Sequence, residues 1–152
     1  MSIDKHQLAA SPAALEAFNR EMIARFRATG GEVDDLPGGS LILLHSIGAR
    51  SGARRISPLA CFTIEGRMLV AGSNLGSAKD PAWVHNLRAN PLAEIEVGGH
   101  THDVIAQEVL HEARELAYHE MAALAPVLAE YQKQTSRLIP VFELAVVSQG
   151  SG

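Results

Sequence analysis

At 152 residues and 47% hydrophobic, the chain is long enough to bury one core and short for two. A formal net charge of −4 and the lack of any apolar run near the roughly 18–20 residues of a membrane span argue against a uniformly basic nucleic-acid binder and a helical membrane protein. The lone Cys61 rules out an internal disulfide and fits a reducing, cytoplasmic setting.

The segment from Met1 to Gln7 is polar and lacks the apolar stretch of a signal peptide. Residues 1–35 are read as an N-terminal helix and its lead-in, part of one domain spanning 1–152. Ser11-Pro12 predicts an N-cap followed by proline at the first helical position. A helix is expected from Ala13 to Thr29, ended by Gly30-Gly31, with Leu15, Phe18, Met22 and Phe26 forming one apolar stripe.

Ser40–Ser46 has the length and apolarity of a strand. Gly48–Gly52 is a turn. Arg54–Ile64 is a second strand, in which Pro58 implies an edge position or a bulge. Glu65-Gly66 signals a hairpin, and Arg67–Gly72 returns. Asp80-Pro81 repeats the cap-plus-proline signature before a short helix that Asn90-Pro91 stops. Leu92–Val97 and His100–Val109 flank a Gly98-Gly99 turn. Glu112 to Thr135 is helical with a break near Pro126, and Val141–Val147 is a last strand. Hairpins dominate and no βαβ alternation occurs, so an antiparallel α+β barrel of about six strands with flanking helices is expected, not a Rossmann fold.

Charge is concentrated. Between Gly48 and Arg88 stand six bases (Arg50, Arg54, Arg55, Arg67, Lys79 and Arg88) against Glu65 and Asp80, a net +4 inside a chain of −4. A basic island on an acidic protein predicts a small anionic ligand. Two Gly/Ser loops, Gly48–Gly52 and Ser73–Lys79, lie within it, and such loops expose N–H groups to phosphate. Neither is a P-loop, because no Lys-Ser or Lys-Thr pair follows the glycines, and neither matches a dinucleotide fingerprint. Trp83, the only tryptophan, reads either as a core anchor or as a ligand platform. His85 reads as structural. His100 with His102, and His111 with Glu115 and His119, imitate metal spacing but read as solvated polar faces, so no metal is expected.

Four ordered motifs together resemble the deazaflavin-dependent nitroreductase family, which includes F420H2-dependent quinone reductases. They are Gly48-x-Arg50-Ser51-Gly52-x-x-Arg55-x-x-Pro58-Leu59, Ala71-Gly72-Ser73, Pro81-Ala82-Trp83-x-His85-Asn86-Leu87-x-Ala89-Asn90-Pro91, and Glu130-Tyr131-Gln132-x-x-Thr135-x-Arg137-x-Ile139-Pro140-Val141. The resemblance implies a split β-barrel of the FMN-binding type and coenzyme F420, a deazaflavin with a phosphate and a glutamate tail. It implies hydride transfer from the reduced cofactor to a quinone, nitro compound or activated enone, and a possible homodimer. By motif, Arg50, Ser51, Arg54 and Arg55 would face the phosphate and tail, Ser73 the deazaflavin ring, Lys79 and Trp83 the cofactor's flanks, and Tyr131 the substrate. Gly48, Gly52, Pro58, Asn74, Gly76, Pro81 and Asn86 complete the expected binding set, with Tyr131 and Ser73 as the catalytic candidates. Where relatives often have Ser-Lys-Gly-Gly, this chain reads Ser73-Asn74-Leu75-Gly76, and two further tyrosine positions read Ala125 and Leu128. The alternatives are an FMN-dependent oxidoreductase on the same barrel, or a non-catalytic deazaflavin carrier.

Overall fold

Six strands close into one antiparallel barrel in the order β1-β2-β3-β6-β5-β4. The computed structural model describes residues 12–31 and 39–147; Ser11, the rest of the N-terminal segment and the lead-in to the first strand lie outside the described residues. The elements are α1 (Pro12–Ala28), β1 (Ser40–Ile47), β2 (Arg54–Ile64), β3 (Arg67–Ala71), α2 (Ala82–Ala89), β4 (Leu92–Val97), β5 (His100–Val109), α3 (His111–Leu124), α4 (Val127–Gln134) and β6 (Val141–Val146).

The hairpins form where the turn residues predict them. Ile64 pairs with Arg67 across Glu65 (φ 52°) and Gly66 (φ 79°), a two-residue turn with both central residues left-handed. That twist matches the strands it joins. Val97 pairs with His100 across Gly98-Gly99. Pro58 causes no bulge, since the β1–β2 register runs unbroken from Ser40↔Cys61 to Ile47↔Arg54. Its missing N–H is tolerated because β3 pairs with β2 only from Phe62 to Ile64, so Pro58 has one partner strand, Leu43 on β1. Asp80 does not cap α2. Pro81 holds the N-cap position without a side-chain bond, and the Asp80 carboxylate turns instead to Arg137 and Arg88.

β1 is buried on both faces. Ile42 and Leu44 join Val70, Trp83, Ile95, Val104 and Phe142 in the barrel interior. Leu41 and Leu43 point outward under Met22 and Phe26 of α1. Each of those two α1 side chains contributes roughly 1.5–3 kcal/mol by burial. A third cluster seats α3 and α4 on the barrel through Met121, Leu128, Tyr131, Ile139 and Phe62.

Register decides where the connections emerge. β1 ends at Ile47 opposite Arg54, where β2 begins. β3 ends at Ala71 and β5 at Val109, both opposite Val141, where β6 begins. β4 begins at Leu92 opposite Ile105, late in β5. The loop 48–53, the segment carrying α2 and the segment carrying α3 and α4 therefore gather at one end of the barrel. The other end carries the two tight hairpins.

Candidate functional site

The first loop at the open end closes on itself. Gly48 N–H donates to the Ala53 carbonyl at 2.8 Å and Gly52 N–H to the Gly48 carbonyl at 2.9 Å. Ser51 Oγ accepts from Ala53 N–H at 3.1 Å. Buried Asn86 of α2 pins the loop from below: its Oδ1 accepts from Ala49 N–H at 2.9 Å, and its Nδ2 donates to Ser46 Oγ at 3.2 Å. The N–H groups of Arg50 and Ser51 are left with no acceptor among the described residues.

The second loop is strained. Ser73 is right-handed (φ −70°, ψ −32°), and Asn74 (φ 45°), Leu75 (φ 56°) and Gly76 (φ 81°) follow in the left-handed region. A left-handed conformation costs an ordinary residue roughly 1–2 kcal/mol, less for asparagine. A Cβ at Gly76 would sit 2.4 Å from Gln134 Oε1, so the loop is also pressed against the end of α4. Asn74 Nδ2 donates to Ser77 Oγ and to the Lys79 carbonyl, each at 3.0 Å. The larger restraint comes from Arg137. Its guanidinium donates to the carbonyls of Gly72 (3.0 Å), Ser73 (2.8 Å) and Ser77 (3.0 Å), and to Asp80 Oδ1 (2.6 Å). Burial lowers the Arg137 pKa, and the Asp80 carboxylate opposes this. Sequence reasoning places Arg137 in a motif but assigns it no role; the Thr135-x-Arg137 pattern was the available signal.

The basic island divides in two. Arg54 pairs with Glu94 (3.6 Å), Arg67 with Glu143 (3.9 Å), and Arg88 with Glu108 (2.8 Å) and Asp80 (3.6 Å). The bond to Glu108 is the main cause that raises the Arg88 pKa. Arg50, Arg55 and Lys79 are exposed and make no ion pair among the described residues.

Other expected site residues are dispersed in depth. Trp83 is 5% exposed and packs edge-on against Phe142 at 5.8 Å between ring centroids, so its ring belongs to the barrel interior and is not an open surface platform. It anchors α2, the helix that carries Asn86 and follows the second loop. Pro58 and Pro81 are half-buried framework residues. Ser73 is half-buried, and its hydroxyl makes no capping bond. Tyr131 is 7% exposed on α4, in the cluster that also receives Leu75 from the second loop. Beside it, Tyr118 donates to the Leu128 carbonyl, and burial pushes its phenol up to about 12. Burial pushes the Cys61 thiol up to about 11, which makes it an inert core side chain. His85, His111, Glu115 and His119 are exposed, and the rings of His100 and His102 stand 6.5 Å apart. Among the described residues no three His, Cys, Asp or Glu side chains converge on one point.

Known proteins match this arrangement over most of its length. The profile of the F420H(2)-dependent quinone reductases matches residues 18–145. An F420H(2)-dependent quinone reductase of Mycobacterium tuberculosis is 33% identical over 132 residues, covering 80% of this chain and 85% of the relative. Among solved structures, an F420-H2 dependent reductase, FDR-A, aligns with a TM-score of 0.62 at 35% identity, over 68% of this chain and 92% of its own. A domain-swapped dimer aligns with a TM-score of 0.64 at 33% identity, over 88% of this chain and 99% of its own.

Proposed function

The chain belongs to the F420H(2)-dependent quinone reductase family, and we propose on that premise that it is an oxidoreductase passing a hydride from reduced coenzyme F420 to a quinone. The observation that carries this reading is the unpaired cationic rim of Arg50, Arg55 and Lys79, set at the end of the barrel where two loops leave N–H groups open. A phosphate followed by several carboxylates needs such a set, and the planar guanidinium suits both groups. FMN, with one phosphate and no carboxylate tail, would use fewer cations than the rim presents.

In this reading Arg50 and Arg55 hold the acidic tail, assisted by Lys79 and by Arg54 from its weak pair with Glu94. The N–H groups of Arg50, Ser51 and the Ser73–Leu75 turn take phosphate oxygens. Gly48, Gly52, Asn74 and Gly76 give the two loops their shape; Pro58, Pro81, Trp83 and Asn86 hold the elements beneath them. When bound, reduced F420 supplies the hydride. The chain supplies position and a proton. Ser73 Oγ hydrogen-bonds the ring or the acceptor, since a hydroxyl is a poor acid at neutral pH. Tyr131 Oη donates the proton to the acceptor carbonyl as general acid. Nitro compounds and activated enones need the same hydride and are compared with quinones in the same assay.

Fluorescence titration with F420, run beside FMN, tests the cofactor. Saturable F420 binding is expected, and preference for FMN would overturn the assignment. Turnover of menadione with reduced F420 separates an enzyme from a carrier, which would bind without turnover. Homodimer formation belongs to the same reading, supported by the dimeric structural neighbour, and light scattering checks it. No helix among the described residues is long and apolar enough to cross a membrane; a cytoplasmic placement, supported by the buried free Cys61, is checked by fractionation.

A further inference from the structure

We infer that Arg137 is a positioning residue for the cofactor site, acting through the Ser73–Ser77 turn and not on the cofactor itself. This rests on the reading that the turn takes an anionic oxygen of F420. A right-handed residue followed by left-handed ones turns successive N–H groups toward one side and makes an anion-binding concavity. Ser73 followed by Asn74 and Leu75 is such a sequence, and the N–H groups of Ser73, Asn74 and Leu75 have no acceptor among the described residues. Within the turn the Ser73 carbonyl accepts from Gly76 N–H and the Asn74 carbonyl from Ser77 N–H, and one side chain reaches the carbonyls at both ends of the segment. Arg137 takes those of Gly72, Ser73 and Ser77 together, so the carbonyls are drawn to the guanidinium while the amides stay open.

The guanidinium is itself fixed. Its side chain is 15% exposed and is held by Asp80. The Arg137 carbonyl accepts from Gln132 Nε2 at 2.8 Å. Gln132 Oε1 accepts in turn from Arg114 Nη2 at 2.7 Å and from Ile139 N–H at 3.1 Å. Arg114, 4% exposed, also donates to the Ile139 carbonyl through Nε and Nη2. A chain of hydrogen bonds thus runs from buried Arg114 on α3, through Gln132 on α4, to the strained turn. Lysine cannot replace Arg137, because a point ammonium does not match a planar fork that serves three carbonyls and a carboxylate at once.

The test compares two ligands in one titration: F420, and the deazaflavin core lacking the phosphate and glutamates. Wild type is expected to bind F420 more tightly than the core; equal binding would overturn the reading of the turn as an anion site. Arg137→Gln is expected to lose about 10- to 100-fold in F420 affinity, the scale for hydrogen bonds that involve a charged group. Core affinity should fall by clearly less, since only the Ser73 hydroxyl of this turn meets the ring, and amide exchange at Asn74–Ser77 should quicken. Equal losses for both ligands would mark Arg137 as merely structural, and unchanged F420 binding would overturn the inference outright. Arg137→Lys keeps the charge and carries the same comparison should the glutamine variant fail to fold; it is expected to lose F420 selectively as well, and full rescue by lysine would count against positioning by the fork.

Discussion

At the end of the barrel where Gly98-Gly99 turns, Arg27 of α1 reaches Glu96 at 3.0 Å, and Glu96 also accepts from buried His45. At the other end Arg50, Arg55 and Lys79 are exposed and make no ion pair among the described residues. Both regions are rich in charge, and they use it differently. Paired charge at the hairpin end fastens a helix to the sheet. Unpaired charge at the loop end costs self-repulsion and returns nothing to the folded chain alone, which is the ground for the proposal that it serves a ligand. If this contrast is right, substitutions at the two ends should separate cleanly into stability effects and binding or rate effects.

The largest effect is expected at the loop end. Tyr131→Phe keeps the ring in its apolar cluster and removes only the hydroxyl. A general-acid role contributes about 10²–10⁴-fold, so kcat with menadione should fall by that order while F420 affinity holds. Wild-type turnover would make solvent the proton source and leave Tyr131 a packing residue. The hairpin end should answer in the opposite currency. Phe26→Ala removes a 2% exposed ring from beneath α1 and should cost about 3–5 kcal/mol of stability. Measured by denaturant unfolding, that loss should come with unaltered F420 affinity; a parallel loss of binding would erase the contrast. Smaller again are Arg50→Ala and Arg55→Ala. Each should weaken F420 by about 1–3 kcal/mol, with affinity falling as salt rises and unfolding unaffected. Unchanged binding in both would remove the first loop from the site.

The same contrast explains what was legible in the sequence. β2, β4 and β5 fall on the residues expected because hairpins announce themselves locally, through Glu65-Gly66 and Gly98-Gly99. The loop-end cations were legible as composition. What escaped were side chains whose partners lie far along the chain. Asp80 reads as a helix cap, yet Arg137, 57 residues away, claims its carboxylate. Asn86 reads as a ligand-binding residue, yet its amide is engaged by Ala49 and Ser46 on the neighbouring strand and turn. Arg54 and Arg88 read like Arg50 and Arg55 until the sheet brings Glu94 and Glu108 beside them. Charge sign can be counted in a sequence, but charge pairing is set by register and closure of the barrel.

The finest test therefore bears on a pair that the sequence did not reveal. Burial alone would raise the Glu96 pKa, but the bonds from Arg27 and then His45 outweigh it and hold the carboxyl below its ordinary value. A carboxyl held low in the folded state stabilises the fold at any pH above its unfolded value, about 4.3, and loses that contribution as the pH falls through the folded value. Glu96→Gln keeps the shape and one acceptor while removing the charge. At pH 7 the variant should be less stable by about 1 kcal/mol, a modest figure because Arg27 is half exposed and screened by solvent. For a chain of this size that is roughly 2–4 °C in Tm. The gap should narrow as the pH drops below the ordinary carboxylate value, since wild-type Glu96 then protonates and comes to resemble the glutamine. F420 affinity at pH 7 should not move, because the pair lies at the hairpin end. A gap that persists unchanged into acid would mean that α1 is fastened by shape and hydrogen bonding alone, and paired charge would then no longer be what separates the hairpin end from the loop end.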